Sequence, residues 1–343
     1  MSEQEPTKFF PTEVPMINLA LSGKWDGGAS KGVTLIAGKS KHFKTLFGLV
    51  MLKAWFKASS PDAVCIFYDT EGGATLDYFE MNGIDTTKVI RKPVIDVEQM
   101  KEDFINTLHD IDEGDEVFFF FDSLGNIASR KERDDAMDGS TKADMTRAKQ
   151  IKSLMRIIYM PLDIKALPCV IIGHTYDTQE MYSKQVVSGG TGAYYNANTI
   201  WIITRSQEKE RQSDKEISGY KFTINIEKSR FVKEKSKFPI TVKFKGGINS
   251  WSGLFDLARE LGYVDKATAQ TYERICLKGI KDLPADIDPL KTYKEKNTNN
   301  TEFWGPIFKY TDFMKRVESK YLLHDNSRTA QEILGEGGED KDD

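Results

Sequence analysis

The chain has 343 residues, 39% of them hydrophobic and 29% charged, and a formal net charge of −4, which reads as an ordinary folded protein of one large domain with an appendage or of two domains. No apolar run approaches a membrane span, Met1-Ser-Glu-Gln-Glu-Pro lacks the features of a signal peptide, and the few histidines and cysteines have no metal-ligand spacing. These features argue against a membrane-spanning helix, a zinc site and indiscriminate nucleic-acid binding, and predict a cytoplasmic location with reduced Cys65, Cys169 and Cys276.

Residues 1–30 are polar, with apolar clusters at Phe9-Phe10 and from Met16 to Leu21. A Gly-rich piece then leads into the apolar run Val33 to Ala37. The next eight residues are Gly38, Lys39, Ser40, Lys41, His42, Phe43, Lys44 and Thr45, followed by a helical stretch to Ala58. Strand, loop and helix in that order are what a phosphate-binding loop requires. Its backbone N–H groups and the helix N-terminus would wrap a polyphosphate, Lys44 would reach the β and γ phosphates, and Thr45 would ligate Mg2+. Phe43 departs from the pattern, which puts Gly before the Lys, so by itself the stretch also reads as a turn.

Beyond the loop, strand-like and helix-like segments alternate. Strand Ala63 to Tyr68 ends in Asp69-Thr-Glu71, where Glu71 is placed to orient an attacking water. Asp69 contests that role but lies within the strand end, as a structural group would. Helix Thr75 to Asn82 carries Tyr78, an adenine-stacking platform or an interface aromatic. Helix Val97 to Ile111 precedes strand Val117 to Phe121, which ends at Asp122. This is the carboxylate that holds the Mg2+ water shell, or an Asx turn. A charged helix, Ala143 to Tyr159, leads to strand Cys169 to Gly173 and His174, which either reports on a γ-phosphate or caps backbone. The long loop Tyr176 to Ala193 and strand Thr199 to Thr204 follow. Strands apolar along their whole length and separated by helices imply a buried, largely parallel sheet covered on both faces, with ligands at the strands' carboxyl ends.

After Arg205 the segments Tyr220 to Ile226 and Phe238 to Phe244 alternate apolar and polar residues, as antiparallel strands extending the sheet. Residues 205–245 hold twelve Lys or Arg against six Asp or Glu, whereas the last eight residues hold five acids and one Lys. Leu254 to Leu261 and Thr268 to Leu277 read as helices, and Thr301 to Leu323 as a last packed helix. The expected organisation is an N-terminal segment 1–30, an ATPase core 31–250, a small α-rich C-terminal domain 251–324, and a disordered acidic tail 325–343.

These residues in this order resemble the RecA-type recombinase superfamily and, within it, the UvsX-type recombinases of T4-like bacteriophages. The resemblance runs from about Lys8 to Leu323. It is carried by Pro15 to Gly23, the loop Gly38 to Thr45, Pro61 to Glu71, Asp122-Ser-Leu-Gly-Asn126, Asp144-Met-Thr-Arg-Ala-Lys149, His174 to Met181, Glu227-Lys-Ser-Arg230, Val232 to Phe238 and Phe303-Trp-Gly-Pro306. The phage members similarly place Phe before the loop Lys.

The resemblance implies an α/β protein with a RecA-like P-loop ATPase core. In it Lys44, Thr45 and Asp122 bind ATP and Mg2+, Glu71 is the catalytic carboxylate, Tyr78 stacks on adenine and His174 senses the γ-phosphate. It implies DNA-binding loops at Ser129 to Ala143 and Thr175 to Thr191, with Arg147 and Lys149 on the helix after the first. Lys228 and Arg230 match a basic pair that reaches a neighbouring subunit's ATP. The implied activity is DNA-dependent ATP hydrolysis coupled to homologous pairing and strand exchange, in recombination, replication and repair of phage DNA. The implied setting is a helical filament on single-stranded DNA, with homologous duplex, mediator and single-strand-binding proteins as partners, in the cytoplasm of an infected bacterial host. T4-like relatives carry a longer segment before the Phe-Phe stretch, so self-assembly is less firmly implied than ATP binding. The alternatives are a ring-forming, helicase-like motor on the same fold and a non-catalytic recombinase modulator.

Overall fold

The computed structural model describes residues 7–125, 127–139, 146–177, 185–187, 196–209 and 216–323. Six strands run parallel: β1 (Gly32–Gly38), β2 (Val64–Asp69), β3 (Val89–Pro93), β4 (Val117–Asp122), β5 (Pro168–Asp177) and, after the short β6 (Gln185–Val187) that pairs antiparallel with the end of β5, β7 (Thr199–Glu208). They lie in the order β3-β2-β4-β5-β1-β7. Antiparallel β8 (Gly219–Lys228), β9 (Lys237–Lys243) and β10 (Gly247–Ile248) continue the sheet past β7. The chain leaves β1 for β2, three places away, and later returns to β5 and β7 on either side of β1. Such a reversal opens a crevice at the carboxyl ends of the strands, where open α/β sheets bind ligands.

Strand β4 shows why the sequence reads apolar without alternation. Phe118 and Phe120 pack with Phe47, Trp55 and Phe79 from α2 (Lys44–Ala58) and α3 (Leu76–Met81) on one face. Phe119 and Phe121 pack with Phe104, Met100, Ile151 and Ile158 from α4 (Val97–Asp110) and α6 (Thr146–Ile164) on the other. All four Phe side chains are buried, each contributing roughly 1.5–3 kcal/mol of hydrophobic stabilisation. Strand β3 was not anticipated. It is an edge strand with exposed Ile90 and the polar Arg91 and Lys92, so it lacks the continuous apolar signature of its neighbours.

The apolar cluster Met16 to Leu21 forms α1 (Pro15–Ser22), with Pro at its first position and left-handed Gly23 closing it. It is buried in the same core as β8 and β9, and the Trp201 indole N–H donates to the Ala20 carbonyl at 3.3 Å. The expected DNA loop Ser129 to Ala143 begins as helix α5 (Arg130–Met137), closed at its start by a Ser129/Glu132 capping box. Residues 140–143 lie outside the described residues, as do 178–184 and 188–191 of the second expected loop and the acidic tail.

In the C-terminal region α7 (Leu254–Glu260) stands where a helix was expected. Thr268 to Leu277 is not helical. Tyr272–Glu273 is β12, the centre of a small antiparallel sheet with β11 (Asp265–Lys266) and β13 (Thr292–Tyr293), and Ile275–Leu277 is a 3-10 turn. The last expected helix is two, α8 (Thr301–Tyr310) and α9 (Phe313–Tyr321), because Thr311 leaves the helical conformation with extended backbone. Phe303, Trp304, Ile307, Phe313 and Val317 of these helices belong to the same core as α1 and β8.

Candidate nucleotide site

The loop from Gly38 to Lys44 joins the buried end of β1 to α2, which opens with neither a side-chain cap nor an acidic residue in its first turn. Its first N–H groups therefore have no competitor for an anion. Lys44 is buried and its Nζ donates to the Lys39 carbonyl at 3.0 Å. Burial pulls the ammonium below the usual lysine range, against the attraction of Asp122 and Glu71. Thr45 Oγ1 donates to Asp122 Oδ2 at 2.6 Å. Asp122 lies at the end of β4, and burial raises its carboxyl to about 6 despite the Thr45 hydrogen bond and Lys44. A hydroxyl and a carboxylate side by side are the hard oxygen donors that suit Mg2+, which completes its shell with water and phosphate oxygens. No cluster of three or more His, Cys, Asp or Glu side chains that could hold a metal ion exists among the described residues.

Glu71 follows β2 and Ser123 follows β4, and the adjacent strand ends bring them together. Ser123 Oγ donates to Glu71 Oε1, which also takes the His174 Nε2–H at 2.9 Å. The His174 hydrogen bond is the largest cause of a Glu71 carboxyl below its usual range, with Ser123 helping and burial opposing. Asp69 accepts the Glu71 and Gly72 N–H groups at 3.1 and 2.7 Å and is bound by Arg91, so it shapes the turn that presents Glu71. The Ser123 link was missed in the sequence although it adjoins Asp122, because nothing along the chain shows that β2 and β4 are neighbours. A cavity of about 280 Å3 is lined by Ser40 to Thr45, Glu71, Tyr78, Asp122 and His174 among others. The expected Gly38, the last residue of β1, and Lys39, which is exposed, are not among the residues that line it.

Four expected residues stand outside this cavity. Arg147 Nε donates to the Ile127 carbonyl at 2.7 Å and Nη2 to those of Leu124 and Gly125, so its guanidinium staples the loop after β4. Lys149 is exposed on α6. Lys228 pairs with Ile200 of β7, and Ile200 with Leu35 of β1, whereas the phosphate loop begins at Gly38, level with Ile203. Three residues along the strands and two strands across separate the Lys228 and Gly38 backbones by on the order of 14 Å. Arg230 lies further along and donates to the Tyr159 hydroxyl. The pair thus lies toward the opposite end of the sheet from its own cavity. Burial and Arg230 draw the Lys228 ammonium below its usual range.

Residues 251–317 match the family model of the bacteriophage T4 recombination and repair protein, C-terminal domain. The recombination and repair protein of Enterobacteria phage T4 is 45% identical over 328 residues, spanning 94% of this chain and 82% of the T4 protein. A match of that extent spans the segments that form β1, β2, β4 and β5 as well as the C-terminal region. The chain belongs to the family of the T4 recombination and repair protein, the UvsX-type recombinases.

Proposed function

We propose that the protein is a DNA-dependent ATPase with a RecA-like core that forms helical filaments on single-stranded DNA and catalyses homologous pairing and strand exchange. The observation that carries this reading is the meeting of Lys44, Thr45, Asp122 and Glu71 in one cavity while Lys228 and Arg230 stand toward the far end of the sheet. A site whose own chain holds its cationic pair out of reach is completed by another copy. Head-to-tail contacts of that kind propagate into a helix when they do not close.

In this reading the loop N–H groups and Lys44 bind the polyphosphate, and Tyr78 stacks on the adenine. Mg2+, held through Thr45 and Asp122, would neutralise charge on the phosphate oxygens. Glu71 is kept ionised by His174 and Ser123, and it accepts the proton of the attacking water as that water meets the γ-phosphorus. His174 is bonded to Glu71 and would exchange that partner for a γ-phosphate oxygen, so that the sensor and the base would act as one hydrogen-bonded pair. The neighbour's Lys228 and Arg230 offset charge developing on the transferred group. DNA would be held through its phosphates by Lys149 and the segments 129–143 and 175–191, leaving its bases to pair with a homologous duplex.

The test is ATP hydrolysis with and without single-stranded DNA, on the wild type, Lys44→Ala and Arg230→Ala. Stimulation by DNA that both substitutions abolish supports the shared site, and strand exchange then follows as the next assay. A rate indifferent to DNA and to Arg230→Ala overturns the filament reading. Unwinding without pairing would indicate a ring-forming motor, and neither activity a modulator.

A further inference from the structure

Two residues with side chains occupy the left-handed region inside the phosphate loop, Lys41 at φ 61° and Phe43 at φ 52°. That conformation is disfavoured for any residue with a Cβ and persists only where the surroundings hold it. Phe43 is held by its ring, whose centroid lies 5.2 Å from that of Phe222 and 5.9 Å, edge-on, from that of Tyr220. Lys41 is held by its carbonyl, which accepts a 2.9 Å hydrogen bond from Arg205 Nη1. The Arg205 guanidinium in turn lies 4.4 Å from the Tyr220 ring centroid. Next along the loop, His42 Nδ1 is 2.8 Å from the Ile203 carbonyl. Two residues of β7, Ile203 and Arg205, and two of the β8 start, Tyr220 and Phe222, therefore hold three consecutive residues of the loop.

We propose that Arg205, seated on Tyr220, is a positioning residue of the ATP site. In a trans peptide the carbonyl and the following N–H point in opposite directions. Fixing the Lys41 carbonyl outward against Arg205 therefore fixes the His42 N–H on the opposite side, as one of the donors of the phosphate nest. Arg205 does this from the exposed surface, through the carbonyl, and touches no reacting atom. The arrangement also accounts for Phe43 in place of glycine. Its ring joins the aromatic surface on which Arg205 rests, so the side chain that strains the loop also anchors it.

The inference rests on the reading of the cavity as an ATP site, and its consequence is a division between binding and turnover. Arg205→Ala should weaken binding of a fluorescent ATP analogue, measured without DNA, by about tenfold. It should raise KM for ATP by a similar factor while leaving kcat at saturating ATP and DNA within about twofold of wild type. Tyr220→Leu, which removes the surface beneath the guanidinium, should shift KM in the same direction. Arg205→Gln keeps a neutral N–H donor and should recover part of the loss. Circular dichroism of each variant establishes that it is folded.

Equal nucleotide affinity in wild type and Arg205→Ala overturns the inference, and a fall confined to DNA binding assigns Arg205 to the nucleic acid instead. A fall in kcat at unchanged KM also overturns it. If the wild type binds no nucleotide, the ATP-site reading fails, a result distinct from all of these.

Discussion

Asp122 holds the main electrostatic conflict of the site. Its carboxyl titrates near 3.8 in the unfolded chain and near 6 in the fold. Between those values the fold retains a proton that the unfolded chain has released, so the stability contributed by this group falls as pH rises through that window. At pH 7.5 the ionised carboxylate costs roughly 2–3 kcal/mol in protein free of metal and nucleotide. Asp122→Asn keeps an acceptor for Thr45 and removes the charge. It should raise the thermal midpoint in EDTA at pH 7.5, lose most of that advantage by pH 4, and abolish Mg2+-dependent hydrolysis. A lower midpoint at pH 7.5 would show that the charge is better compensated than its burial implies. Glu71 has the opposite sign: its depressed pKa contributes stability above the ordinary carboxylate value of 4.5, and this is lost as the pH falls below that value. Its geometry depends on Gly125, where an added Cβ would lie 1.9 Å from His174 Cδ2. Gly125→Ala should push His174 off Glu71 and lower ATP hydrolysis roughly ten- to hundredfold with ATP binding retained. Equal losses of binding and turnover would count against the Glu71 and His174 pair as the working unit.

Gly48 and Pro306 are helix residues that propensity alone would reject. Gly48 lies within α2, and a Cβ there would come 2.4 Å from Cζ of the fully buried Phe120. Alanine would gain about 1 kcal/mol in propensity but lose more, about 1–3 kcal/mol, by overpacking, so Gly48→Ala should lower the urea midpoint. Pro306 lies within α8 and has no N–H for the Glu302 carbonyl one turn back. Buried Arg274 supplies the donor, with Nη1 at 3.0 Å from the Glu302 oxygen and 3.4 Å from that of Phe303, and Nη2 at 3.0 Å from the Asp288 oxygen. Arg274→Leu should cost about 3 kcal/mol, and about 1 kcal/mol less in a Pro306→Ala background, where the helix supplies its own donor. Strict additivity in urea denaturation would sink the pairing. This arrangement also explains where sequence reasoning failed. Thr268 to Leu277 has helix-compatible residues, yet Arg274 is needed inside and Tyr272 pairs with Tyr293 in a strand. No local pattern reports a partner that distant. The central strands were legible because burial on both faces leaves a continuous apolar run, as in β4. Lys44, Thr45, Glu71 and Asp122 were legible because each stands at the end of such a run. Ser123's bond to Glu71 and Arg205's hold on the loop were not, since both depend on which strands lie side by side.

At the scale of the whole molecule, the sheet separates the two halves of the proposed catalytic machinery. Its cavity lies at the carboxyl ends of β1, β2, β4 and β5, while Lys228 at the end of β8 and Arg230 beyond it lie toward their amino ends. Lys228 is held in place by the β7 pairing, and Arg230 by Tyr159 of α6. A side chain cannot cross that span without dismantling the ladder, so in the proposed filament an intact subunit would offer its cations to a neighbour's site. Two defective variants therefore repair each other in only one way. Glu71→Gln leaves a dead site but intact cations, and Arg230→Ala leaves an intact site without them. Either alone should hydrolyse ATP at a small fraction of the wild-type rate. Mixed in equal amounts on single-stranded DNA, an Arg230→Ala subunit regains activity wherever its cation-donating neighbour is Glu71→Gln. With random placement along a head-to-tail filament, half of the sites are intact and half of those meet intact cations, so the mixture should recover about a quarter of the wild-type rate. The recovery should vanish under conditions that keep the subunits apart. A mixture no faster than the mean of its two components would place Arg230 in its own subunit's site, or outside the reaction, and remove the main reason for a shared active site.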